Sequence, residues 1–357
     1  MAAIPGKDAA AVRSARARRL RKSLLAEMMP RLLQEDGLTR EEALVREMME
    51  TSCRLLRDRA SLGDVKLLNA ALRELRYALS VFAPYRQVRK VSVFGSARTP
   101  QDAPAAQTAH EFAHQIAEAG FMIITGAGPG IMEAAQKGAG RERSFGVNIR
   151  LPFEQSANEF IRNDPKLVTF RYFFTRKLLF VKEADAVCLF PGGFGTLDEG
   201  YECITLVQTG KSKPMPIVCL DRPGGTYWKT WRRTIEDHLL RRGLISEQDM
   251  SLFSLPSSIE EAVAEIAGFY RVYHSSRVVE DDFVIRLVHR LDPDVVRALA
   301  GDFADIIVGG GIEQRDALPL EREQEPELND LPRLVFRFDR AGYGRLRQLI
   351  DRLNRDG

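Results

Sequence analysis

No stretch of about 18 consecutive apolar residues occurs in the 357-residue chain, so no transmembrane helix is expected. Nor does one sign of charge dominate: 52 basic against 49 acidic side chains leave a net charge of +3, which argues against bulk commitment to nucleic acid or to a membrane surface. The four cysteines, Cys53, Cys188, Cys203 and Cys219, form no C-x-x-C pair, and two of them lie in apolar strand-like runs where a small buried thiol is ordinary. A reducing, cytoplasmic setting is the expectation. Internal repeats are absent too. Seven basic residues within the first 22 (Lys7, Arg13, Arg16, Arg18, Arg19, Arg21 and Lys22) face a lone Asp8, and are read as a frayed, solvated helix start rather than a transit peptide or nucleic-acid arm.

What is present is a change of texture along the chain. Residues 1–85 carry apolar positions at three and four spacing, as in "TREEALVREMMETSCRLLRD" and "DVKLLNAALRELRYALSVF", and predict a helical N-terminal extension. Residues 86–273 alternate short apolar runs ("KVSVFG", "FMIIT", "SFGVNI", "DAVCLF", "PIVCL") with helical patterns, which predicts a Rossmann-like, doubly wound parallel α/β sheet. Residues 274–357, with "DDFVIRLV", "LPRLVFRFD" and "YGRLRQLIDRLN", predict a small C-terminal α/β unit. Its acidic stretch "EREQEPELND" reads as a solvated loop.

Several short motifs point to chemistry that their context excludes. The glycines of "TGAGPGIMEAA" (Gly126, Gly128, Gly130) follow a strand and open a helix but do not space as G-x-G-x-x-G. The next strand, "FGVNIR", also ends without a ribose-binding acid, so a nicotinamide or flavin dehydrogenase is disfavoured. "GKS" at 210–212 lacks the glycine a Walker A loop requires and reads as a helix end. "HEFAH" at 110–114 matches H-E-x-x-H, yet it sits on a sheet-covering helix with no third ligand in sight, so a structural helix is expected and no metal.

The stretch "FPGGFGTLDE" (190–199) is different. Two strands, "FMIIT" and "AVCLF", end in glycine-rich turns that open helices, besides "VFGSAR" after the first strand; in an open parallel sheet such turns gather at the carboxyl edge, where helix N-termini favour an anion. Within it, "TLDE" fits a capping box, Thr196 capping the helix and Glu199 reaching back. Gly192, Gly193 and Gly195 in front of it instead suggest close approach of backbone to a ligand. The residues alone leave cap and catalyst open.

Residues from about 83 to 231 resemble the LOG family, the nucleoside 5′-monophosphate phosphoribohydrolases often labelled lysine decarboxylases. The motifs are "VFGSAR", "TGAGPGIMEAA", "GVNIRLPFEQSAN", "FFTRKLLF" and above all "PGGFGTLDE", which matches the signature PGGxGTxxE. No lysine motif for a pyridoxal Schiff base supports the decarboxylase label. The resemblance implies Glu199 and Arg176 as catalytic residues, with Gly192, Gly193, Gly195 and Thr196 as the phosphate turn. It further implies Gly128 and Gly130 on the other side, and Gly95 and Ser96 beneath the nucleoside. Two departures stand out, Ala127 where glycine is common and Gly200 where a larger residue is usual. The implied reaction is hydrolysis of the N-glycosidic bond of AMP or an N6-modified AMP to free base and ribose 5-phosphate, with no cofactor, in a homodimer or larger homo-oligomer. A non-catalytic nucleotide or molybdopterin-type cofactor carrier is the alternative.

Overall fold

Short apolar runs without polar alternation are what a parallel sheet covered on both faces demands. The computed structural model describes residues 24, 26–34, 36–150 and 157–357. The basic cluster of the first 22 residues and positions 151–156 of "GVNIRLPFEQSAN" lie outside them. The described residues fall into two compact units, one ending at Ala70 and the other Ala71–Gly357. In the first, helix α1 (Arg40–Arg57) starts at a capping box between Thr39 and Glu42 and buries none of its side chains. Helix α2 (Leu62–Phe82) runs on into the second unit, where its Phe82 ring stacks on Phe145 at 4.3 Å between centroids.

The second unit holds a six-stranded parallel sheet of β1 (Lys90–Phe94), β2 (Met122–Thr125), β3 (Ser144–Ile149), β4 (Leu167–Phe170), β5 (Ala186–Leu189) and β6 (Ile217–Cys219), in the order β4-β3-β2-β1-β5-β6. This is the doubly wound, Rossmann-like α/β arrangement the sequence predicts. β4 is an addition, because the four-residue run "LVTF" passes almost directly into a helix and has no period of its own. One face packs Phe82, Phe145, Phe170, Phe180 and Trp228, the other Phe112, Ile116, Phe190 and Ile266. Strand order reverses between β1 and β5, so the turns after these two strands open a crevice at the carboxyl edge.

The "HEFAH" segment lies on helix α3 (Pro104–Glu118), with Phe112 and Ala113 buried and His110 and His114 exposed. His114 Nε2 lies 3.5 Å from Glu118. Among the described residues no group of three or more His, Cys, Asp or Glu is placed to hold a metal ion.

After helix α8 (Ile259–Gly268; helices α4–α7 come with the site below) the chain builds an antiparallel sheet, β7-β8-β10-β9, from β7 (Tyr273–Val279), β8 (Asp282–Leu287), β9 (Glu313–Arg315) and β10 (Arg333–Phe336). Its apolar face packs Phe283, Ile285, Leu334 and Phe336 against Leu346, Leu349 and Leu353 of the C-terminal helix (Tyr343–Asp356). That helix ties the sheet to the α/β core. Asn354 Oδ1 accepts from the Val272 and Tyr273 amides at 2.9 and 3.0 Å, and buried Arg347 pairs with Glu265 of α8 and with Asp351.

The acidic stretch 321–330 is not simply a solvated loop. Pro319–Gln324 is helical, and Glu321 is fully buried between two arginines of the strands: Arg286 donates to its Oε1 at 2.9 and 2.7 Å, and Arg333 to its Oε2 at 3.3 Å. Two guanidinium groups buried on one sheet need counter-charge; Glu321 serves both, and Glu325 also pairs with Arg286. Replacing Glu321 by Ala should therefore lower stability by about 3–5 kcal/mol, since it leaves buried Arg333 without a carboxylate and Arg286 with Glu325 alone. Urea unfolding checks this, and an unchanged midpoint would mean the pair contributes nothing.

Candidate active site

Chain direction brings the site together. β1 delivers Gly95 and Ser96 to the crevice, and β5 delivers Pro191 and Gly192; the two turns are joined by the Ser96 amide donating to Pro191 O at 3.2 Å. Helix α6 (Phe194–Gln208) leaves the second turn at once, with Gly193 as N-cap and no side-chain cap hydrogen bond. The capping-box alternative for "TLDE" thus fails. Thr196 is already the third helical residue, and Glu199 lies nearly a turn further on, out of reach of the cap. A helix that starts on glycine keeps its first-turn N–H groups clear of a capping side chain, which is the arrangement that suits an anion.

Eight of the ten expected residues line one cavity of about 760 Å³: Gly95, Ser96, Arg176, Gly192, Gly193, Gly195, Thr196 and Glu199. A Cβ on Gly192 would overlap the Thr196 side chain, whereas Gly193 and Gly195 have open space where a Cβ would stand. Gly128 and Gly130 do not line the cavity. Gly130, at φ +69°, is the N-cap of helix α4 (Ile131–Ala139) and packs under the backbone of Ser96 and Ala97. Gly128 backs Met132, and it is Met132 that reaches the cavity wall. These two glycines shape the site from behind.

Arg176 projects from helix α5 (Phe173–Glu183); its Nε donates to Val147 O at 3.0 Å and its guanidinium lies 5.3 Å from the centre of the Phe180 ring. Glu199 is 7% exposed, and its Oε2 is buried with no hydrogen-bond partner among the described residues. Burial pushes its carboxyl up to about 7; Lys177 and Arg176 oppose that rise, and Glu202 and Asp198 add to it. Glu199 thus lines the cavity as a residue while its Oε2 stays buried and without a hydrogen-bond partner among the described residues.

Residues 131–266 match the protein-family model described as "possible lysine decarboxylase". Over this segment the chain is similar to the LOG family, whose motifs it resembles. Solved structures similar to it include a structural-genomics target, TM1055, at 21% identity over 49% of this chain and 96% of that one, with a TM-score of 0.35. Another is the molybdenum cofactor carrier protein of Chlamydomonas reinhardtii, at 18% identity over 50% and 94%, TM-score 0.34. A third is DNA processing protein A of Streptococcus pneumoniae, at 15% identity over 51% and 62%, TM-score 0.35. No curated protein matches.

Several supporting residues around this site escape a reading of motifs. Lys177 bridges α5 and α6, its Nζ 2.8 Å from both Asp198 Oδ2 and Glu202 Oε2; burial works against its charge, but the two carboxylates outweigh burial and raise its pKa. The available signal was the pair Asp198 and Glu202, one helical turn apart on the face towards a lysine in an apolar helix. Tyr227, which opens helix α7 (Tyr227–Ile235), donates its hydroxyl to Gly192 O at 2.7 Å and so braces the glycine turn. Asn158 Nδ2 donates to Gly128 O at 3.0 Å and to Gln136 Oε1 at 2.7 Å, holding the second turn. Of the two departures, Ala127 adopts φ +59°, a region that favours glycine. Gly200 lets α6 settle onto β5, since a Cβ there would stand 2.9 Å from Leu189 Cδ1.

The raised carboxyl has a consequence for stability. Below the usual 4.5 Glu199 is protonated folded and unfolded alike, so burial carries no penalty. As pH rises from there through about 7, the folded state holds the extra proton and stability falls, reaching a deficit of about 3 kcal/mol above 7. Glu199→Gln is therefore expected to match the parent chain at pH 4 and to exceed it by about that amount at pH 8.5. Denaturant unfolding across this range tests it; a difference between the two proteins that does not vary with pH would contradict the assignment.

Proposed function

We propose that the chain is a nucleoside 5′-monophosphate phosphoribohydrolase that splits AMP, or an N6-modified AMP, into free base and ribose 5-phosphate. The similarity of residues 131–266 to the family model supports a nucleotide-related role. The observation that carries the finer reading is that Glu199, a buried carboxyl whose Oε2 has no partner among the described residues, lines the same cavity as an uncapped helix N-terminus. The phosphate sits on the Gly193–Gly195 turn at the start of α6, which anchors the substrate through binding energy remote from the reacting bond.

As the C1′–N bond breaks, positive charge develops on the ribose ring. The Glu199 carboxylate stabilises that charge and aligns the attacking water, whose oxygen bonds to C1′ while a proton passes to the departing base nitrogen. Arg176 orients the acid or the ribose phosphate. No step calls for a metal or organic cofactor. The carrier reading explains the glycine turns equally well but gives no reason to bury an ionisable carboxyl beside them. Exposed aromatic side chains on the cavity wall, Phe173 at 52% and Phe194 at 93%, support a homo-oligomer whose partner meets the site's rim. Among the described residues no helix is long and apolar enough to cross a membrane.

Glu199→Gln is expected to lower AMP hydrolysis about 10²–10³-fold while adenosine remains a very poor substrate for the parent enzyme. Since the carboxylate is the working form, kcat/KM should fall tenfold per unit as pH drops below about 7 and level off above it. Lys177→Met, which removes a charge that holds the Glu199 pKa down, should move this limb to higher pH; titration of the substrate phosphate would not follow it. Rates of base release by chromatography decide the matter. Full activity in Glu199→Gln would overturn the reading.

A further inference from the structure

A second polar cavity, of about 200 Å³, opens at the opposite end of β1 and β5, where the α/β core meets the C-terminal sheet. Its walls carry Arg86 and Arg89 ahead of β1, Lys213 ahead of β6, Tyr270 after α8, and His274 and Ser275 of β7, with Asp185 as the sole carboxylate. Asp185 is already committed: its Oδ2 accepts the Lys90 amide at 2.9 Å, and its Oδ1 meets Lys213 Nζ at 2.8 Å and Arg89 Nη1 at 3.8 Å.

Arg89 is held rigidly. Its guanidinium lies 3.6 Å from the centre of the Tyr270 ring, and Nη2 donates to His274 O at 3.2 Å. Burial, then the neighbouring Arg89, Arg286 and Arg333, keep the His274 imidazole below its ordinary range, so it is neutral at pH 7. Three cations against one anion leave a charge of plus two around the cavity (3 − 1). Field lines concentrate in such a concave, partly desolvated place.

We propose that this cavity is a binding site for a small phosphorylated anion, a diphosphate group or compact phosphate ester. Arg86, Arg89 and Lys213 supply the charge, and Ser275 and His274 supply hydrogen bonds. The volume lies below the roughly 300–1,000 Å³ of sites that enclose whole drug-sized ligands, which favours a phosphate group over a complete nucleotide. The site is separate from the cavity of Glu199, with which it shares no lining residue.

Isothermal titration of the full chain with pyrophosphate, and separately with inorganic phosphate, at about 0.15 M KCl tests the proposal. Comparison with Arg86→Ala/Lys213→Ala isolates this cavity, because both side chains are exposed and neither lines the Glu199 site. The expected result is a binding event in the parent protein that weakens at least tenfold in the double variant, while any event at the Glu199 cavity persists in both. Arg86→Glu should abolish it outright. Indistinguishable isotherms for parent and variants would overturn the site, as would binding seen only at low salt, which would reduce the cluster to screened surface charge.

Discussion

An ionisable carboxyl group buried in the second turn of a helix, with one oxygen left without a hydrogen-bond partner, is the constraint on which the site depends. Burial disfavours the charged form of Glu199, and the surrounding architecture restrains that tendency rather than removing it. Full neutralisation by a direct ion pair would depress the pKa and occupy the oxygen. Arg176 and Lys177 act instead at range, Arg176 bonded to Val147 O and Lys177 committed to Asp198 and Glu202. The outcome is a group poised near neutrality, where a carboxyl can change protonation state under ordinary conditions.

Everything that sets this balance follows from chain direction and close backbone approach. α6 can leave β5 without a linker only because Gly192 tolerates the Thr196 side chain and Gly193 begins the helix with no side chain in the way. Tyr227 braces the turn from one side; Asn158 and Gln136 hold the neighbouring turn from the other. The C-terminal sheet reaches none of these residues directly. It docks against α8 and the amino edge of the parallel sheet, where Arg89 bonds to His274 O, which places the second cavity at the far end of the strands that carry the first.

Much of this was legible because the core strands are short and continuously apolar, a pattern with few alternatives once helices alternate with them. β4 and β7 were not. The first is four residues long, and the second exposes or half-exposes most of its side chains, so neither carries a period. At the site, glycine spacing and motif order point to the loop and to Glu199, but "TLDE" satisfies a capping box on paper and only the true helix start, two residues before Thr196, separates the alternatives. Lys177 and Glu321 escaped for a common reason. The partners that give them meaning, on α6 for one and on β8 and β10 for the other, are distant in sequence, and a charged side chain read locally is taken as solvated.

The central claim is that Glu199 is a buried carboxyl poised near neutral pH, and it can be read without substrate. Difference infrared spectroscopy across a pH titration, subtracting the Glu199→Gln protein from the parent, isolates the carboxyl band of this one side chain. The account predicts that the protonated band persists to pH 6 and disappears about a midpoint of about 7. A midpoint in the ordinary glutamate range, about 4.3, would show that the group is solvated or paired and would contradict the account.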